Sequence, residues 1–293
     1  MEKRSLNIGT IFCTAFCCFA FWHLLRKLPH RKPTTVPDSG KLQRGITIYV
    51  VTPTYYRALQ IPELVRLSQT LILVENLHWV VVEDSYSLRP KVAQVLEESG
   101  LSFTHLVGPK PTEYSRVWKY GRGVSNRLRA LEWIRQNASL PGVLYFADDD
   151  NAYDVRLFEE IRKTRRVSVF PVGLMANMGV STPIVYMGKV VGFHDPSAGR
   201  VFMVDMAGFA VNLAVLMGVH PVMNYTAGLL EETFLQSLKI TVEDLEPLAN
   251  NCTEVLVWHT QTLNPLLGNT SRSIPVNQYP NSNLNELAKA LSY

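Results

Sequence analysis

The chain has 293 residues, 47% of them hydrophobic and 18% charged, which is globular composition and excludes a disordered chain. Its formal charge of +4 is mild, and part of it sits in the clusters around Lys3, Arg4, Arg26, Lys27, Arg31 and Lys32. A nucleic-acid-binding domain would show a basic stripe, so no nucleic-acid partner is expected.

The first element is the run 6–25, LNIGTIFCTAFCCFAFWHLL, which carries no formal charge when His23 is neutral. Roughly 20 such residues span a bilayer as a helix. A cleaved signal peptide has a shorter apolar stretch, about 7–15 residues, ending at a small-residue site. Here Arg26, Lys27, His30 and Arg31 follow instead, so the run is expected to be an uncleaved signal anchor. The expected layout is a cytoplasmic tail (1–5), a membrane span (6–25), a Pro- and Thr-containing stem (26–45) and one large domain (46–293). Positive charge flanks the run on both sides, so charge alone does not orient it. Four N-x-S/T sequons, at Asn137, Asn224, Asn251 and Asn269, place the large domain in the lumen as glycosylation candidates. Cys13, Cys17 and Cys18 lie in the apolar run, which leaves Cys252 alone. No disulfide can then form within the domain, and Cys252 is expected to be a buried thiol. Some 245 residues are enough to supply a core instead.

ITIYVV, from residue 46, is a buried-strand pattern that the Thr-Pro-Thr of 52–54 is expected to stop. Residues 61–73 have helical spacing of Leu and Val. HWVVVED (78–84) is a second strand ending in two acids. A helix over 88–98, a strand over 102–107 and an amphipathic helix over 124–136 follow. GVLYFADDDN (142–151) is a third strand ending in acids, then a helix over 154–164 and a strand VSVFPVG (167–173). Short β segments are expected over 184–210, and helices over 214–218 and 231–238. Strands alternating with helices argue an α/β domain with a mostly parallel sheet. Ligands of such sheets bind beyond the carboxyl ends of the strands, where Thr52-Pro53-Thr54, Glu83-Asp84 and Asp148-Asp149-Asp150 converge.

FADDDN is the sharpest chemical signal. Three adjacent carboxylates repel, and burial raises that cost. A divalent cation with oxygen ligands, Mn²⁺ or Mg²⁺, relieves it. Side chains alternate along a strand, so Asp148 and Asp150 are expected on one face with Asp149 pointing elsewhere, giving one or two direct ligands. Such a metal keeps positions open for substrate phosphates, which suggests a nucleotide diphosphate. Asp84 is placed to accept from a base or ribose. Arg122 and Arg127, in YGRGVSNR at a helix start, suit phosphate or carboxylate; five residues apart, they do not share one helical face. In GLLEETFL, Glu231 and Glu232 are either first-turn acids favoured by the helix dipole or a general base. In VLVWHTQT, His259 is either a satisfied core histidine or a stabiliser of a leaving phosphate.

Together YVVTPTY, LHWVVVEDS, RGVSNRLRALEW, YFADDDN, VSVFPVGL, VDMAGFAV and LEPLANNCTEVLVWHT resemble, in this order, the β-1,3-glucuronyltransferases. The resemblance runs from about residue 46 to 265 and includes the anchor-stem-domain layout. It implies a GT-A-type nucleotide-sugar-binding fold, a homodimer, and a single-pass type II Golgi membrane protein. It implies inverting, Mn²⁺-dependent transfer of glucuronic acid from UDP-glucuronic acid to the 3-hydroxyl of a terminal galactose on a glycan acceptor. By the same resemblance Pro53, Thr54, Tyr55 and Asp84 would hold uridine. Arg122 and Arg127 would face the diphosphate and the glucuronate carboxylate. Asp148 would line the donor site, Asp149 would touch the ribose and Asp150 would ligate the metal. Arg200 and Asp205 would lie beside the acceptor galactose, Glu231 would be the base, and His259 would contact the diphosphate.

The chain departs from the family at Gln261, where a cation is usual, and at Ser181, where an acceptor-contacting Glu is usual. The loop over 192–200 also lacks the family's aromatic. These departures predict retained catalysis with an altered or broader acceptor range. Two rivals stand beside this reading: a non-catalytic glycan-binding relative and a metal-dependent phosphohydrolase.

Overall fold

The apolar runs become strands of one central sheet. The computed structural model describes residues 45–115, 121–175, 179–194, 199–260, 262, 283–284 and 286–287. The expected membrane span, most of the stem, Asn269 and Gln261 lie outside the described residues. Among the described residues no helix is long and apolar enough to cross a membrane.

Strands β1 (Thr47–Thr54), β2 (Leu77–Glu83), β3 (Ser102–Val107) and β4 (Gly142–Phe146) form the parallel half of a seven-stranded sheet. The sheet order is β11-β6-β10-β4-β1-β2-β3. Strand β10 (Phe209–Asn212) runs antiparallel between β4 and β6 (Val167–Val169), and β11 (Leu245–Pro247) closes the edge parallel to β6. The expectation of a mostly parallel sheet therefore holds, with one reversed strand.

Side-chain alternation sorts the core into two layers. Tyr49, Val51, Val80 and Val82 pack on one face with α4 (Val124–Asn137) and α7 (Leu230–Ser237), through Leu131, Ile134, Phe234 and Leu235. Ile48, Val50, Trp79 and Val81 pack on the other with α1 (Gln60–Leu71), α2 (Pro90–Ser99) and α5 (Arg156–Ile161). Because both faces are covered, β1 and β2 read as continuous apolar runs. Two short helices, α3 (Thr112–Ser115) and α6 (Leu213–Met217), join the elements.

A second sheet, of order β5-β12-β7-β8-β9, contains β5 (Ala152–Tyr153), β7 (Val172–Met175), β8 (Gly179–Tyr186), β9 (Lys189–His194) and β12 (Val257–Trp258). Two sequence expectations change here. VSVFPVG is not one strand: it breaks at Phe170-Pro171, and β6 and β7 join different sheets. Nor does Thr-Pro-Thr stop β1, which runs through Thr54. Pro53 is tolerated because it is paired in register with Val82 on one side while β4 has already ended at Phe146 on the other. Cys252 is half-buried and free; its thiol donates to the Val169 carbonyl at 3.5 Å, and burial pushes its pKa up to about 12. That is an inert thiol.

Candidate active site

The carboxyl ends of β1, β2 and β4 and the start of α4 enclose a cleft of about 640 Å³. Pro53, Thr54, Tyr55, Asp84, Arg122, Arg127, Asp148, Asp149, Asp150 and His259 all line it, as the sequence reading expects. Lys110, Gly123, Asn126 and Thr262 line it as well and escaped that reading. Lys110 follows β3, so the rule that ligands gather past strand ends pointed to it.

The floor is held by local geometry. The Asp84 N–H donates to the Thr54 carbonyl at 2.8 Å, continuing the β1–β2 ladder by one residue. Asp84 Oδ1 accepts from the Lys110 N–H at 2.7 Å. Gly123 precedes α4 at φ +67, and a Cβ there would lie 2.5 Å from the Arg127 guanidinium and 3.2 Å from Pro53. Glycine is needed for the turn and for the approach, and it lets the α4 N-terminus meet the cleft. Such a terminus offers unpaired N–H groups and the positive end of the helix dipole to an anion. Arg122 lies before the helix and Arg127 inside it, as their spacing predicts.

The acid triplet follows β4 as a turn. Asp148 pairs with the Arg127 guanidinium, which also lies over the Phe146 ring. Asp149 points inward, 5% exposed, and accepts from Thr54 Oγ1 and Arg57 Nη2, both at 2.7 Å. Burial raises the Asp149 carboxyl even against Arg57. Burial and the neighbouring Asp148 charge raise Asp150. The Asp150 backbone carbonyl accepts from the Thr260 hydroxyl. The triplet leaves β4 as a turn, so strand alternation does not order it; Asp149 is turned inward by Thr54 and Arg57 while Asp148 pairs with Arg127. Arg57 is the partner that sequence reasoning missed. Among the described residues no three His, Cys, Asp or Glu side chains gather into a metal-sized cluster.

Glu231 opens α7 in a second polar group. Its carboxylate lies 4.0 Å from Arg200 Nη1, and its side chain is 16% exposed. Burial, then the charge of Asp205, pushes its pKa up to about 7, against the pull of Arg127 and Arg200. Arg200 is fixed by donating to the Gly228 carbonyl at 2.9 Å. Asp205 caps the turn Met206–Gly208 by accepting from the Ala207 N–H at 2.9 Å. Its carboxyl is raised by burial and opposed chiefly by His259, whose Nδ1 stands 3.9 Å away. The two groups therefore meet through Asp205, which feels Asp148, Arg127 and His259 on the cleft side and Glu231 on the other.

Ser181 lies buried on β8, paired with Val172. Asn137 and Asn251 are exposed; Asn224 is half-buried and accepts from the Thr226 N–H at 2.7 Å.

Residues 67–263 match the family model described as glycosyltransferase family 43. The chain is 51% identical over 267 residues to galactosylgalactosylxylosylprotein 3-beta-glucuronosyltransferase S of Drosophila melanogaster, covering 90% of this chain and 64% of that protein. The human enzyme numbered 3 of the same name is 49% identical over 259 residues, 80% of this chain and 76% of its own. The human enzyme numbered 1 is 45% identical over 243 residues, 77% of this chain and 72% of its own. With a family model spanning this much of the sequence and relatives this similar, the chain belongs to glycosyltransferase family 43.

Proposed function

We propose that the chain transfers glucuronic acid from UDP-glucuronic acid to the 3-hydroxyl of a terminal galactose, with inversion, on a GT-A-type domain. The acceptor class is the galactosyl-galactosyl-xylosyl linker that the relatives' names describe. The observation that carries the reading is a carboxyl held near neutrality, Glu231, beside an acid-lined cleft capped by a helix N-terminus.

Asp84 accepts from the uracil, while Arg122, Arg127 and the α4 N-terminus receive the diphosphate and the donor carboxylate. Arg200 and Asp205 hold the galactose. Glu231 takes the proton of the 3-hydroxyl as that oxygen attacks the anomeric carbon. UDP leaves from the opposite face, so an α-linked donor gives a β product. A base of pKa about 7 is ionised in much of the enzyme at neutral pH yet basic enough to accept a proton. The side chains suit a divalent cation: the carboxylates of Asp148, Asp149 and Asp150 line the cleft and supply oxygen only, with Asp149 committed to Thr54 and Arg57. Asp150 would hold Mn²⁺, or Mg²⁺, at the cleft wall where the diphosphate is received. Such an ion offsets charge on the departing diphosphate. Residues 6–25 anchor the protein in the Golgi membrane with the domain lumenal, and the enzyme acts as a homodimer.

The test is UDP-glucuronate turnover by the detergent-solubilised chain with Mn²⁺ and a Galβ1-3Gal acceptor. Product should form in wild type and vanish in Glu231→Ala and Asp150→Ala. Phosphate release without a trisaccharide product would point to a hydrolase, and acceptor binding without UDP release to a non-catalytic glycan binder.

A further inference from the structure

Asp149 has a guanidinium partner that substrate binding does not explain. Arg57, on the turn between β1 and α1, donates Nη2 to Asp149 Oδ1 at 2.7 Å, and both side chains are 6% exposed. Its other arm reaches the Tyr55 carbonyl at 3.4 Å, and its plane lies 4.7 Å over the Tyr55 ring. The second oxygen of Asp149 is held by Thr54 Oγ1, which also accepts from Gln60 at 3.2 Å. Gln60 in turn accepts from Arg89 at 2.6 Å. Asp149 is thus fixed from β1, from the turn and from α1. Arg57 does not line the cleft.

The charges of the triplet divide accordingly. Asp148 has Arg127 and Asp149 has Arg57, so three carboxylates meet two paired guanidinium groups. Among the described residues Asp150 has no such paired guanidinium; it lines the cleft wall and feels Arg57 and His259 only as nearby charges. We propose that Arg57 is a positioning residue for the divalent cation: by engaging Asp149 it keeps the middle carboxylate from competing as a ligand and leaves Asp150 to face the ion. The inference rests on the metal-dependent reading given above. Its physical basis is the cost of unpairing a buried charge. Without Arg57, the buried Asp149 carboxylate loses its charged partner and is released to turn toward the cation, which changes the ligand set.

The experiment compares full-length wild type, Arg57→Met, Arg57→Lys and the double variant Arg57→Met/Asp149→Asn. Calorimetry measures UDP binding with and without Mn²⁺, kinetics give the Mn²⁺ half-saturation, and thermal unfolding confirms folding. In Arg57→Met the Mn²⁺ half-saturation should rise about 10–100-fold, as when other outer partners of metal ligands are lost. UDP binding without metal should stay within about twofold, the scatter of uncoupled sites. Arg57→Lys should recover part of the loss, because an ammonium restores charge without the planar fork. The double variant removes the competing carboxylate together with its partner, so its Mn²⁺ half-saturation should return toward wild type, while loss of the ribose contact expected of Asp149 would weaken UDP binding equally with and without Mn²⁺. It also keeps the test open if Arg57→Met fails to fold. A double variant with Mn²⁺ half-saturation as impaired as in Arg57→Met, an unchanged Mn²⁺ half-saturation in Arg57→Met, or an equal loss of metal-free UDP binding in Arg57→Met would overturn the proposal. If wild type itself shows no gain of UDP binding on adding Mn²⁺, the metal reading fails and this inference with it.

Discussion

Glu231 and Glu232 are neighbours in sequence with opposite environments. Glu232 is 7% exposed, and its carboxylate accepts from the Val201 N–H at 3.2 Å and the Phe202 N–H at 2.7 Å. Gln236, one turn on, donates to it as well. Glu231 has Arg200 at 4.0 Å and a pKa near 7. Glu232 therefore ties α7 to the segment carrying Arg200, while Glu231 faces Arg200 and is the one to which the proposed proton transfer falls.

Replacing Glu231 by Ala should lower kcat about 10²–10⁴-fold with little change in the donor KM, the range for a lost general base. In wild type, kcat should fall as pH drops below about 7, because a base works only when ionised. Initial rates across pH 5–9 check both. A flat profile through neutrality would remove Glu231 from the role.

The same shift has a stability consequence. Glu231 titrates higher when folded (about 7) than its ordinary value of 4.5, so the native state binds the extra proton between those values. Its favourable contribution is fully present below pH 4.5 and is lost as pH rises through 7. Above that pH a buried charge is retained at a cost. Glu231→Gln should then be more stable than wild type at pH 8, by on the order of 2–3 kcal/mol, and equal to it near pH 4. Thermal unfolding at the two pH values decides it.

Glu232→Ala removes the acceptor of the Phe202 N–H, which is buried, and of the Val201 N–H, which water can reach, so the cost is chiefly one orphaned buried donor, about 1–3 kcal/mol. The variant should lose about that much stability. Because the loosened segment carries Arg200, the acceptor KM should rise roughly tenfold, the equivalent of about 1.4 kcal/mol, while the donor KM holds. An equal rise in both would mean that the tether serves the whole cleft.

Gly123→Ala meets strain twice, from φ +67 and from a Cβ 2.5 Å from the Arg127 guanidinium. A left-handed non-glycine residue costs about 1–2 kcal/mol. The Arg127 contact adds to that cost by shifting a guanidinium paired with Asp148, so the donor KM should rise more than the acceptor KM. Steady-state kinetics with each substrate varied in turn provides the check.

Acceptor choice is the last prediction. Ser181 is buried on β8, at the position where the family resemblance implies an acceptor-contacting Glu. The chain should accept Galβ1-4GlcNAc as well as Galβ1-3Gal, and a panel of the two disaccharides reads this directly. Strict preference for Galβ1-3Gal would show that Ser181 does not widen the range.

Much of the cleft lining was legible because strand periodicity and strand ends are local. The apolar runs before Thr54, Asp84 and Asp148 announced strands, and ligands gather past such ends. Arg57 was equally near a strand end, but nothing local marked its partner, which lies 92 residues away. The reversed strand β10 was illegible for the same reason: its neighbours β4 and β6 are chosen by packing, not by its own four residues.

The sequence by itself determined the alternating α/β layout, the acid triplet, the glycine-led helix start and the family, all of which are written in contiguous residues. Only the tertiary structure decided which of two adjacent glutamates is held by backbone amides and which meets Arg200. It also turned the middle aspartate inward and brought Asp205 between the cleft and α7. Those assignments depend on burial and on charges from distant segments, and a side chain acquires them only when the chain folds.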